Sequence, residues 1–212
     1  MKNIDKSTCW YNKNSLDEMV NAVKNHPNFE DIGHGKVIIN LLKDIDNEDS
    51  KLLDLSCGGG HLSTIVKGDY TGSDMNSVIE NVSKICYPDN KYIYLDLIED
   101  KDLSIIKLFD IVILNAIIDI LESPLEILNK ILKNCSKYVV IHRQEISNMY
   151  LPNEFILTKE PSYGGITFRT NIEKESFNKI LKNNKFSIIK EMDSGLGLSN
   201  NKSFLLKKDD IR

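Results

Sequence analysis

The segment Lys51-Leu52-Leu53-Asp54-Leu55-Ser56-Cys57-Gly58-Gly59-Gly60-His61-Leu62 holds the residues of this sequence best suited to chemistry. The apolar run around Asp54 suits a parallel strand covered on both faces. The glycines that follow let the backbone turn tightly and come close to a ligand. The turn is predicted to run into a helix containing Leu62–Val66, whose first amide groups have no partner within the helix and can receive an anionic or polar group. Asp74 lies twenty positions after Asp54, at the end of a second predicted strand. A carboxylate at that spacing can accept hydrogen bonds from both hydroxyls of a ribose. Strand, glycine turn and acid together point to a nucleoside-containing cofactor.

The elements that must position these residues follow an alternating rhythm. Two amphipathic helices are predicted within residues 15–46, one carried by Leu16, Met19, Val20 and Val23, the other by Val37, Ile38, Leu41, Leu42 and Ile45. Strands are predicted at Leu52–Ser56, Tyr70–Ser73, Tyr92–Leu95, Phe109–Leu114 and Lys137–Ile141, with helices at Ser77–Ile85 and Leu125–Leu132 between them. Residues 144–172 break the rhythm: Pro152, Pro161, Gly164 and Gly165 punctuate a stretch without sustained periodicity, which reads as a long binding loop or lid. A helix at Glu173–Lys182 and strands at Phe186–Glu191 and Ser203–Lys207 close the chain as an edge hairpin. The expectation is one α/β domain over 1–212. It comprises a helical cap (1–50), a cofactor-binding core (51–143), an acceptor-side insertion (144–172) and a C-terminal helix with edge hairpin (173–212).

Composition narrows the partners. The chain has 212 residues, 41% hydrophobic and 27% charged, values of an ordinary globular domain. A formal charge of −4 offers no basic field for a phosphate backbone, so no nucleic-acid partner is expected. Cys9, Cys57, Cys86 and Cys135 are scattered, without a CxxC pair or a histidine at metal-ligand spacing, so no metal is expected and a reduced, cytoplasmic setting fits. No apolar run has the length of a membrane span, and the N-terminus lacks a signal-peptide core.

The Leu53–Gly60 segment resembles the first motif, D-x-G-x-G-x-G, of the class I S-adenosylmethionine-dependent methyltransferases, with Ser56 in place of the first glycine. Asp74 falls where that family keeps its ribose-binding acid. Tyr94-Leu95-Asp96-Leu97 resembles its adenine-contacting turn, and Phe109–Pro124 resembles its fourth-strand segment. The resemblance covers residues 50–143 and implies a doubly wound, mostly parallel Rossmann-like sheet of seven strands, the last antiparallel. It implies S-adenosylmethionine as cofactor and S-adenosylhomocysteine as product. It assigns the backbone of Ser56, Cys57, Gly58 and Gly60 to the methionine moiety, with Asp54 ordering the loop. Asp74 takes the ribose, Met75 and Leu97 the adenine, and Asp96 its amino group, while Asn115 ends strand four on the cofactor side.

The acceptor side is less legible. Asp119 and His142 are the candidate bases, although Asp119 equally suits a helix N-terminus and His142 an ordinary polar strand end. Arg143, Tyr163 and Arg169, with Tyr150 nearby, are candidates for the acceptor pocket, and Trp10 and Tyr11 for a segment folding over the cofactor. His34 stands alone in the sequence and receives no role. The expected function is methyl transfer to a small polar molecule, O-methylation of a sugar or other metabolite foremost. The rivals are a non-catalytic cofactor-binding partner subunit and a macromolecular N-methyltransferase. A nicotinamide reductase is disfavoured because G-x-G-x-x-G is absent.

Overall fold

The apolar runs at Leu52–Leu55 and Ile111–Leu114 are inaccessible to solvent on both faces, and this places them in the middle of a parallel sheet. The computed structural model describes residue 10 and residues 12–162, 165–198 and 200–209. Five parallel strands form the centre: β1 (Lys51–Leu55), β2 (Asp69–Asp74), β3 (Lys91–Tyr94), β4 (Ile111–Asn115) and β5 (Tyr138–Ser147). They lie in the order β3-β2-β1-β4-β5. Beyond β5 come β9 (Asn201–Lys208), antiparallel to it, and then β8 (Phe186–Asp193), antiparallel to β9. This is the seven-stranded, doubly wound arrangement expected, with the last strand reversed.

Side chains that alternate along each strand feed two apolar layers. Leu53, Leu55, Val112, Leu114, Val139 and Ile141 face α5 (Pro124–Asn134) and α6 (Lys174–Asn183) through Leu128, Ile131, Phe177 and Leu181. Leu52, Ile111, Ile113 and Val140 face the opposite way, onto Ile38, Leu41 and Leu42 of α2 (Gly35–Leu42). The cap helix α1 (Lys13–Asn25) lays Leu16, Met19 and Val20 on Val78 and Val82, above the β2–β3 connection. The sidedness of the sheet is therefore written in neighbouring residue pairs such as Leu52 and Leu53.

Three expectations change. The glycine turn opens no α-helix: His61–Thr64 is a single 3₁₀ turn. The connection from β1 to β2, residues 56–68, is close to the dozen or so residues that a parallel crossover requires, which leaves no length for helical turns. After β2, a first helical turn α3 (Asn76–Val78) passes through a π-helical turn at Ile79–Ser83 into α4 (Lys84–Cys86). This turn holds the buried Ser83, whose Oγ donates to Gly58 O at 2.5 Å and whose carbonyl accepts from Tyr92 Oη at 3.1 Å. Lastly, residues 144–172 are not an irregular loop. β5 continues to Ser147, and β6 (Phe155–Ser162) pairs antiparallel with β7 (Gly165–Glu173).

The position of that hairpin follows from register. Glu145 of β5 pairs with Asn171 of β7 on one side and Asn201 of β9 on the other. The hairpin thus sits on the edge of β5 that β4 occupies lower down, stacked beyond the carboxyl end of β4. Thr170 Oγ1 donates to Ile118 O at 3.1 Å and ties it to the turn after β4. Both strands carry prolines or charged residues and β6 is largely exposed, so no apolar alternation marks them in sequence.

Candidate active site

Three neighbouring strands carry a non-glycine residue in the left-handed region near the level where β1 and β4 end. Ser56 follows β1 (φ 55°) and Ala116 follows β4 (φ 53°), while Arg143 (φ 65°) lies within β5, just past its pairing with β4. Each such residue costs about 1–2 kcal/mol, and strain of this kind gathers at functional sites. The turn after β1 is held by Asp74 at the end of β2. Asp74 Oδ2 accepts from Gly58 N–H at 2.9 Å, and Oδ1 from Met75 N–H at 2.8 Å. Cys57 N–H donates to Ser73 O at 2.9 Å. Val23 of α1 packs so closely on Gly59 that a Cβ there would lie 2.5 Å from Val23 Cγ2. The loop is thus fixed from below by Asp74 and from above by the cap.

Above these ends lies a cavity of about 580 Å³, within the range of small-molecule sites. Ser56, Cys57, Gly58, Asp74, Met75, Asp96, Leu97 and Asn115, eight of the residues that the family resemblance assigns to the cofactor, line it, and so does Trp10. Asp96 Oδ1 also accepts from Ile98 N–H and Glu99 N–H at 2.9 and 3.1 Å, so it shapes its own turn as well. Burial raises the Asp74 carboxyl to about 6 against the opposing pull of its two amide bonds. Asn115 Oδ1 is buried without a partner at the cavity wall. Asp74 oxygens with further acceptor capacity, and an Asn115 oxygen awaiting a donor, fit a ligand with ribose hydroxyls and an amino group.

The other wall comes from segments distant in sequence. Met19, Ala22, Val23, His26, Phe29, Ile32 and His34 descend from the cap, Ile117, Ile120, Leu121 and Glu122 follow β4, and Thr167 and Phe168 project from β7. Arg143 lines the cavity beside His34, donating from Nη1 to His34 Nε2 at 3.3 Å. Arginine only donates, which fixes the hydrogens of the whole chain. His34 Nδ1–H donates to His142 Nε2 at 3.0 Å, and His142 Nδ1–H donates to Ser203 Oγ at 2.7 Å. Arg143 N–H reaches the same oxygen at 3.5 Å and closes the circuit. Burial, followed by the charge of Arg143, lowers His34 to about 4 and His142 to about 3, so both rings are neutral near pH 7.

Several expectations are corrected. His142 is 1% exposed and stands behind His34, outside the cavity wall, because β5 turns its side chain toward β9. Asp119 is also outside that wall; it is half-buried in the turn Ile118–Ile120, its Oδ1 is inaccessible and without a hydrogen-bond partner among the described residues, and burial raises its carboxyl to about 6. Arg169 pairs with Glu145 at the root of the hairpin instead of lining the cavity. Tyr150 is 84% exposed. Gly60, at φ 77°, faces Tyr92 Oη behind the loop. Asp54, expected to order the loop, instead accepts from Tyr70 Oη at 2.8 Å beneath the sheet edge. Tyr11 and Tyr163 lie outside the described residues. The cap residues and His34 escaped sequence reasoning. The stripe Leu16, Met19, Val20 and Val23 could have suggested a helix with a second, cavity-facing side. For His34, whose partner is 108 positions away, the sequence held no signal.

Solved structures with this architecture include S-adenosylmethionine-dependent methyltransferases. A sugar N-methyltransferase from a Streptoalloteichus species is 13% identical with a TM-score of 0.61, covering 92% of this chain and 93% of that one. Magnesium protoporphyrin IX methyltransferase from Synechocystis, with the cofactor bound, is 14% identical with a TM-score of 0.59, covering 83% and 78%. An amino pentose methyltransferase from Micromonospora echinaspora, also with the cofactor bound, is 12% identical with a TM-score of 0.58, covering 83% and 90%. The fold is therefore that of the class I S-adenosylmethionine-dependent methyltransferases. A search of curated proteins by sequence found no match. The family model "Methionine biosynthesis protein MetW" matches residues 32–144, and the chain belongs to that family.

Two substitutions test the strand ends. Ser56→Gly removes a left-handed serine and is expected to raise stability by roughly 1 kcal/mol, or roughly 2–4 °C in melting temperature; an unchanged or lower melting temperature contradicts the strain. Burial raises Asp54 to about 7 from 3.8. Between those values the native state keeps a proton that the unfolded chain has released, so this group's stabilisation is complete below the unfolded pKa and is lost as pH rises toward 7. Asp54→Asn keeps an acceptor for Tyr70 and abolishes that loss. Thermal melts should show the variant more stable than the parent above about pH 7, the gap closing toward about pH 4.

Proposed function

We propose that this chain is an S-adenosylmethionine-dependent methyltransferase that acts on a small polar molecule, at a hydroxyl. The observation that carries this reading is the continuity of the cavity. One space runs from Asp74, Met75, Asp96 and Leu97 at the β2–β3 end to Arg143, Thr167 and Phe168 at the β5–hairpin end. A cofactor and a small acceptor fit side by side in such a space, the methyl-bearing sulfur falling near the ends of β1 and β4.

The roles follow from the wall. The Asp74 carboxylate would accept from the ribose hydroxyls while retaining its amide bonds to Gly58 and Met75. Met75 and Leu97 would enclose the adenine, and the backbone of Ser56–Gly59 would approach the methionine portion. Asn115 Oδ1 would accept from an amino group. S-adenosylmethionine, when bound, supplies an electrophilic methyl group on sulfur. The chain's own task is alignment and exclusion of water. Phe29, Ile32, Ile117, Ile120, Leu121 and Phe168 give the acceptor end apolar walls, and the cap and hairpin cover it. Holding a nucleophile in line with the methyl carbon supplies much of the rate of such a reaction. With His142 and Asp119 both outside the wall, alignment is the main contribution assigned to this chain, and no residue is assigned as a base.

Titration calorimetry with S-adenosylhomocysteine should show one site. Asp74→Ala should weaken it by about 10–100-fold, the loss of charge-assisted hydrogen bonds. Turnover is then sought with S-adenosylmethionine and a panel of sugars and hydroxylated metabolites. Tight binding of a nicotinamide dinucleotide with no response to S-adenosylhomocysteine overturns the reading. Tight S-adenosylhomocysteine binding without turnover on any acceptor would transfer the chain to the class of cofactor-binding partner subunits.

A further inference from the structure

The cavity is polarised along the sheet. Among the described residues, three of its four carboxylates stand toward β2 and β3, Asp74 at the end of β2 and Asp96 and Glu99 after β3, while the fourth, Glu122, lies in the segment after β4. The cavity's sole lysine or arginine among the described residues is Arg143, on β5. Three strand spacings of about 4.8 Å separate β2 from β5, so roughly 14 Å lies between the ribose-side acid and the guanidinium's strand. The backbone is arranged to put the guanidinium there. Arg143 occupies a bulge where the β5–β9 register shifts between Ile141 and Gln144, and its φ is 65°. A bulge re-aims a side chain that regular pleating would send elsewhere.

The histidine chain serves the same end. His34 takes one of the five guanidinium N–H donors on a neutral nitrogen. His142 and Ser203 fix the ring that does so. In this state no imidazole nitrogen of the pair is open to receive a substrate proton: His34 Nε2 is occupied by Arg143, and His142 Nε2 by His34. The chain orients a cation and supplies no base. The charged groups around it are Asp119 in the turn after β4, which feels the charge of Arg143, and Glu122 farther along the same segment; Glu145 is paired with Arg169.

We propose that Arg143, oriented by His34, is a subsite for an oxyanion of the acceptor, a carboxylate or a phosphate. This rests on the reading of the cavity as an S-adenosylmethionine site and names the acceptor class for it: a small hydroxylated molecule that also carries an anionic group. The cofactor's own carboxylate has the same chemistry, but the strand spacing puts Arg143 toward the acceptor end.

Protein saturated with S-adenosylhomocysteine is titrated with inorganic phosphate and with succinate, by calorimetry and by ¹⁵N spectra of the histidine rings. The parent should bind one of these anions, and the His34 Nε2 resonance should shift as the guanidinium turns to the anion. Arg143→Ala should weaken the anion by about 10–100-fold and leave S-adenosylhomocysteine within about threefold. The ring spectra use the parent protein, so they decide the matter even if the variant folds poorly. The proposal is overturned if neither anion binds the parent, if His34 does not respond, or if Arg143→Ala leaves anion binding intact. It is also overturned if that variant weakens S-adenosylhomocysteine tenfold or more but spares 5′-methylthioadenosine, which lacks the carboxylate; Arg143 would then belong to the cofactor. If the parent fails to bind S-adenosylhomocysteine, the cofactor reading fails by itself, and the same titrations on ligand-free protein still judge the anion subsite.

Discussion

Asp74 is the group on which the site turns. Its two oxygens hold the amides of Gly58 and Met75, one on the turn after β1 and one on the turn after β2. A parallel sheet brings these ends to the same edge, where Cys57 N–H donates to Ser73 O. The carboxylate adds a side-chain tie one step beyond, and it fixes a glycine-rich turn that has only a 3₁₀ turn behind it. Burial opposes its ionisation while the two amides favour it. A ligand with hydroxyl donors would add to the second effect.

Left-handed residues Ser56 and Ala116 follow the ends of β1 and β4, and Arg143 takes the same conformation within β5 where its pairing with β4 stops. All three line the room above the sheet. The cap closes that room from one side, through Val23 of α1 on Gly59 and through Trp10, which lines the cavity. The β6–β7 hairpin closes it from the other, through Thr167 and Phe168. The strain is balanced by the sheet beneath, where Leu52, Leu53, Val112 and Ile113 are wholly buried.

What was legible in sequence was local. The parallel core, its order along the chain and one wall of the cavity could be read because each depends on a short run: Leu52–Leu55, Gly58 and Gly59, Asp74, and Asp96 with Leu97. The hairpin could not, because Ile156–Lys159 of β6 are all exposed and carry no alternation. The helix expected after Gly60 failed because periodicity does not report how few residues remain before β2 must begin. The acceptor end was misread for a different reason. Residue type suggested His142 as a base, but its neighbours His34 and Ser203 are 108 and 61 positions away. Only the folded chain shows that the ring faces Ser203 and that Arg143, its neighbour at the bulge, faces the cavity.

The central claim is that a single cavity holds the cofactor on Asp74 and leaves the β5 end for the acceptor. A crystal structure with S-adenosylhomocysteine bound tests it most directly. The account predicts ribose oxygens within hydrogen-bonding distance of the Asp74 carboxylate, the adenine between Met75 and Leu97, and the sulfur near the ends of β1 and β4, with open space between it and Arg143. A ligand bound away from Asp74, or one whose amino-acid portion fills the space up to Arg143 and Phe168, would contradict it.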